Sequence, residues 1–227
     1  MSGKLVHSQQ LQSQKNHQWF SKVGIISVLG LLVLATPAFA HHPLDGRLPA
    51  NFFEGLMSGF GHPMLGLDHL AFVIASGLIA LGIAGGIMIP IAFVIATAIG
   101  AGVHLMSIDL PLPEIIIAAS VVLFGVLLVV RKNQSQPISY GFIVAGLAAL
   151  AGIFHGHAYG EGIFGAEPTP LVAYLIGFTA IQLAIALGAN LLASQIIKRI
   201  PLKYFTRFAG FAIAATGMVF LSSAITG

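Results

Sequence analysis

The sequence predicts an all-α integral membrane bundle of about six transmembrane helices after a cleavable signal peptide. Three observations carry that expectation: 57% of residues are hydrophobic and 7% charged, mean hydropathy is +0.95, and long apolar runs are separated by short polar breaks. A soluble domain carries roughly 25% charged residues, so this chain lacks the polar material for a water-facing surface. With about 20 apolar residues needed per span, the chain beyond residue 40 has room for six spans and short loops.

Residues 1–22 are polar and carry Lys4, Lys15 and Lys22; Val23 to Ala35 is apolar, and Thr36-Pro37-Ala38-Phe39-Ala40 follows. A basic region, a short apolar core and small residues at the cleavage positions make a secretory signal, and the core is short for a span. Cleavage after Ala40 divides the chain into a signal peptide, 1–40, and a single six-helix membrane domain, 41–227. His41 becomes the new N-terminus.

Beyond Arg47 the basic residues fall in two groups: Arg131 and Lys132, then Lys198, Arg199, Lys203 and Arg207. Loop lysines and arginines mark the cytoplasmic side. The expected spans are Phe52 to Leu81, Ile87 to Ser107, Ile115 to Val130, Ser139 to Phe154, Pro170 to Ile197 and Tyr204 to Ala224. This parity predicts a multi-pass protein of the plasma (inner) membrane with the mature N-terminus and Gly227 outside. The first segment is the least regular, since Glu54, His62, Asp68 and His69 interrupt it and Pro63 and Gly66 loosen the helix. Frequent small residues, such as Ala145, Gly146, Ala148 and Ala149, suit close helix packing in lipid.

The net charge of +3 is too sparse for a nucleic-acid footprint; lipid and a cation are the expected partners. With no cysteine, any metal site must use imidazole, carboxylate, backbone or water. The predicted topology puts most ionisable residues other than the basic anchors in the outer half of the membrane or just beyond it. Such groups are costly in lipid and usually mark function.

Two clusters stand out. In His62-Pro63-Met64-Leu65-Gly66-Leu67-Asp68-His69, a straight helix would point both histidines the same way but about 10.5 Å apart along its axis. That is too far for one ion with bonds of about 2.1 Å. Either the helix breaks at Pro63 and Gly66 and folds the ligands together, or the histidines serve successive sites. Asp68 can ligate directly or orient a histidine. The second cluster is Phe154-His155-Gly156-His157-Ala158-Tyr159-Gly160-Glu161, with Glu167 beyond. If the helix continues, His157 and Glu161 share a face; the glycines argue for a loop instead. For both clusters the plainer readings are a hydrogen-bonded packing cluster and a solvated loop.

His104, at the end of the second span, either completes the site or reaches the interface. Asp109 and Glu114 flank Pro111 and Pro113 in what reads as a solvated turn, and Gln182 reads as a helix contact. His41 and His42 would place an α-amine and two imidazoles at one terminus, a nitrogen-rich capture site or a disordered end.

The His62 motif, with its five residues before Asp68-His69, and Phe154-His155-Gly156 with Ala158, Gly160 and Glu161, resemble the HupE/UreJ family of nickel and cobalt permeases. The resemblance extends over the whole mature chain and implies a metal-transport role for His62, Asp68, His69, His155 and Glu161. One departure stands out. Family members often read Phe-His-Gly-x-Ala-His-Gly-x-Glu, whereas here Tyr159 takes the later histidine place and Glu161 comes one position early. His157 is a candidate for the displaced imidazole and Glu167 for the carboxylate.

The expected function is uptake of Ni2+ or Co2+ as transported ion, with no permanent cofactor and no enzyme activity. No Gly-rich Lys motif for ATP is present. The rivals are an intramembrane zinc-dependent hydrolase, recognisable by a tightly retained stoichiometric metal, and a metal sensor or storage protein, recognisable by binding without flux.

Overall fold

A computed structural model describes residues 47–132 and 135–226. Among these are seven α-helices and no strand: α1 (Phe52–Leu65), α2 (Leu67–Ala80), α3 (Met88–Leu105), α4 (Pro113–Val130), α5 (Ile138–Glu161), α6 (Pro168–Ile196) and α7 (Leu202–Thr226). The last five are each long and apolar enough to cross a membrane, and α1 with α2 makes a sixth span if the bent pair crosses as one. The five later spans agree with the expected ones to within about two residues at most ends. The exception is the C-terminal end of α5, which runs on through His155, His157 and Glu161. The proposed signal peptide and His41 and His42 lie outside the described residues.

The expected single helix from Phe52 to Leu81 is instead two helices bent by 82°. The break sits at Gly66, whose extended backbone (φ −75°, ψ 104°) leaves the helical region, while Pro63 stays inside α1 and is buried. Asn51 caps α1: its side chain accepts from the Glu54 N–H at 2.9 Å, and Glu54 accepts in return from the Ala50 N–H and from Arg47 at 3.0 Å each. Glu54 is therefore part of a cap and ion pair that satisfies first-turn donors.

Three helix pairs, α3 with α5, α4 with α7 and α1 with α6, surround α2, which touches every other helix of the bundle. Glycine permits the tightest approaches. A Cβ on Gly156 would collide with the Thr97 carbonyl and one on Gly100 with the Ile153 carbonyl, so α3 and α5 lie backbone to backbone. Gly59 and Gly177 do the same for α1 and α6, and Gly125 and Gly210 for α4 and α7. Such contacts, rather than hydrophobic burial alone, hold helices together in lipid. Ile91, Ile95 and Ile99 are exposed at successive i, i+4 positions of α3, one face that suits lipid.

The core is centred on α2. Phe72 packs against Phe93 of α3 and Phe124 of α4 with ring centroids 4.6 and 4.5 Å apart. Apart from Arg47, the described basic residues gather at the end of the bundle where α2, α4 and α6 finish. There Arg131 is buried, and its guanidinium donates to the Leu78 and Ile79 carbonyls at 3.4 and 3.2 Å. A cation on the last carbonyls of α2 complements its dipole. Gln136 bonds the Gly82 and Ala84 backbone beside it, linking the α2–α3 and α4–α5 connections.

Candidate metal centre

The helix break at Gly66 sets the site. It turns the chain so that His62 near the end of α1 and His69 at the start of α2 face one region, with ring centroids 6.0 Å apart. Of the two arrangements open to this motif, the chain adopts the folded one. Asp68 is half-buried, and its carboxylate accepts from the His69 N–H at 2.8 Å.

Continuation of α5 brings His155 into the interior, about 9 Å from the helix end at 1.5 Å per residue. His155 is fully buried and His69 nearly so. Their Nδ1 atoms lie 2.8 Å apart. Phe72 and Phe93 wall His155 at centroid distances of 4.7 and 5.4 Å. On its far side, Nε2 meets the Ser120 hydroxyl oxygen at 3.1 Å, and that hydroxyl donates to the Ile117 carbonyl at 2.6 Å.

The Tyr159 ring packs on both His62 and His69, with centroids 5.1 and 4.7 Å away. Its hydroxyl is buried with no hydrogen-bond partner among the described residues. The Tyr174 hydroxyl lies 2.8 Å from His62 Nδ1 and 2.8 Å from the Tyr159 carbonyl. It therefore ties α1 to α5 from α6.

His157 does not join this group. It points to the other face of α5 and pairs with His104, Nε2 to Nδ1 at 3.3 Å, while the same Nε2 lies 3.0 Å from the Ile108 carbonyl. Phe164 covers His104 at 5.6 Å. Glu161 ends α5 and Glu167 precedes α6; both are exposed. Asp109 and Glu114 are exposed beside Leu112, whose backbone is left-handed (φ 51°) between two prolines. Gln182 makes the expected helix contact, donating to the Phe178 carbonyl and to Thr97 at 3.0 and 3.3 Å.

The predicted residues thus separate into one group, the buried His69 and His155 with the half-buried His62 and Asp68 beside them, and a second pair, His104 and His157, on the other face of α5. Among the described residues no three histidine, aspartate or glutamate side chains converge as a ready-made metal cage. Ser120 and Tyr174 are site neighbours that the sequence did not single out. A hydroxyl inside an apolar run carries no sign of what it faces.

A family profile described as HupE / UreJ protein matches residues 29–220. The chain belongs to the HupE/UreJ family. Protein HupE of Rhizobium leguminosarum bv. viciae is 31% identical over 204 residues, which cover 87% of this chain and 96% of that protein. No solved structure matches. The family membership expected from the two motifs is borne out, and both motifs of this HupE/UreJ chain lie on helices that meet in the bundle interior.

Proposed function

We propose that this protein carries Ni2+ or Co2+ inward across the plasma membrane, and that His69 and His155 hold the ion in passage. The carrying observation is the 2.8 Å separation of their Nδ1 atoms. With imidazole–metal bonds of about 2.1 Å, two nitrogens at that spacing subtend about 84° at an ion. Without an ion the same 2.8 Å is a hydrogen bond, so the rings rotate slightly to admit the ion between them. The family's general association with nickel and cobalt transport supports the choice of ion.

Two imidazoles make an incomplete shell, and incompleteness suits a carrier. Water completes the coordination, with His62 and Asp68 beside the path, and the ion stays loosely enough held to leave. A resident catalytic or storage metal would call for a fuller set of ligands. The ion is cargo, and no permanent cofactor or catalytic step belongs to this reading.

The direction follows from charge. The basic end of the bundle is taken as cytoplasmic, so the histidine end faces outward with both termini of the mature chain. His41 and His42 would then be available for capture outside, after removal of residues 1–40. Electrical force suffices for uptake, since a divalent cation gains about 4.6 kcal/mol per 100 mV.

The test is 63Ni or 57Co uptake into proteoliposomes under an inside-negative potential, comparing wild type with His69→Ala, His62→Ala and Asp68→Asn. Loss of uptake in His69→Ala, with reductions in the other two, is the expected result. Full uptake in all three removes the site.

A further inference from the structure

The buried pair contains a donor and acceptor account that fixes more than its geometry. Ser120 has one hydroxyl proton, and the 2.6 Å bond to the Ile117 carbonyl uses it. Toward His155 Nε2, 3.1 Å away, the serine oxygen can therefore only accept. Nε2 must carry the proton. In a neutral imidazole one nitrogen donates and the other accepts, so His155 Nδ1 is left with its lone pair directed at His69.

We propose that Ser120 is a positioning residue that sets the tautomer of His155, so that this buried ring always offers Nδ1 as a lone-pair donor to the ion. The inference rests on the transport reading above for its purpose, but the tautomer itself does not. A partner hydrogen-bonded to the far nitrogen is the usual way a protein orients a ligating histidine.

The two rings then have different parts. Without an ion, His69 Nδ1–H donates to His155 Nδ1 across 2.8 Å. When an ion takes the place between them, the proton leaves His69 Nδ1 for water, and Nε2 of the same ring takes one from water. The ring stays neutral and no net proton is released. His155 needs no change at all. Its surroundings agree with a fixed part: His155 is fully buried between Phe72 and Phe93, whereas His69 sits on the first turn of α2, next to the break. Ser120 reaches the site from α4. The Ile117 carbonyl, one turn earlier, holds the hydroxyl in place.

The experiment uses the full chain in nanodiscs with 15N-labelled histidine. The His155 nitrogen signals are assigned by difference with His155→Gln and read without metal. Wild type and Ser120→Thr, which keeps the hydroxyl, are expected to show protonated Nε2 and unprotonated Nδ1. Ser120→Ala is expected to lose that preference and to weaken Co2+ binding, followed by its visible absorption, about ten- to hundredfold. A wild-type His155 protonated on Nδ1 overturns the proposal, even if Ser120→Ala fails to fold. So does a Ser120→Ala protein with an unchanged tautomer. If the tautomer is as stated but His69→Ala still transports normally, the transport reading fails and the assignment for Ser120 stands.

Discussion

The two histidine pairs at one end of the bundle set the same residue type in different surroundings. His69 and His155 come from helices that meet only because α1 and α2 break at Gly66, and their Nδ1 atoms lie 2.8 Å apart in an aromatic-walled interior. His104 and His157 face each other across the α3–α5 seam at a looser 3.3 Å, and His157 Nε2 also engages the Ile108 carbonyl. One pair converges on a common point with its partners behind it. In the other, one nitrogen is occupied by the backbone, so it staples the loop after α3 to α5. The direction of the second hydrogen bond, rather than burial or the presence of imidazole, distinguishes the two pairs, since His157 is as buried as His69.

The comparison is broken most directly by removing one ring from each pair. His155→Ala should abolish uptake in proteoliposomes, whereas His104→Ala should lower it only a few-fold, through loss of a hydrogen bond of about 1 kcal/mol. Equal loss in both would erase the distinction.

The seam between the pairs is the next point of attack. Gly156→Val would drive a branched side chain into the Thr97 carbonyl and part α3 from α5, disturbing both pairs together. Overpacking of this kind costs about 1–3 kcal/mol, to be read as a lower unfolding temperature in detergent and loss of monodisperse protein. Gly146→Ala, where the added methyl meets nothing within 4 Å, should be harmless in the same assays.

Tyr159→His sharpens the contrast by placing an imidazole beside His62 and His69. Because the Tyr159 hydroxyl has no partner to lose, the fold should tolerate the change. Ni2+ affinity should rise about tenfold, by isothermal titration, and turnover should slow as release becomes harder. Smallest of all, Tyr174→Phe removes the hydroxyl shared by His62 and the Tyr159 carbonyl. Two neutral hydrogen bonds, each near the low end of about 0.5–1.5 kcal/mol, predict a several-fold fall in uptake with the His104–His157 pair unaffected.

The spans were legible because lipid demands long apolar runs, and five helices fall where hydropathy and basic loops put them. The break was half legible. Pro63 and Gly66 both signalled it, yet Pro63 stays inside α1 and Gly66 alone leaves the helix. The C-terminal part of α5 misled for a physical reason. Gly156 and Gly160 read as loop residues, since glycine costs about 1 kcal/mol in a helix, but here they admit the backbone and side chains of α3. His155 and the first motif were visible as residue types. Their partners were not: Ser120 lies 35 positions from His155 and Tyr174 lies 112 from His62, and no local pattern records such pairings. For the same reason His157, read as a substitute for the imidazole displaced by Tyr159, turns out to face His104.

Anomalous diffraction at the nickel edge from Ni2+-soaked crystals of the full chain tests the central claim most directly. A peak between His69 Nδ1 and His155 Nδ1, about 2.1 Å from each, is the predicted result. A peak at His104 and His157 alone, with the buried pair still hydrogen-bonded ring to ring, would contradict it.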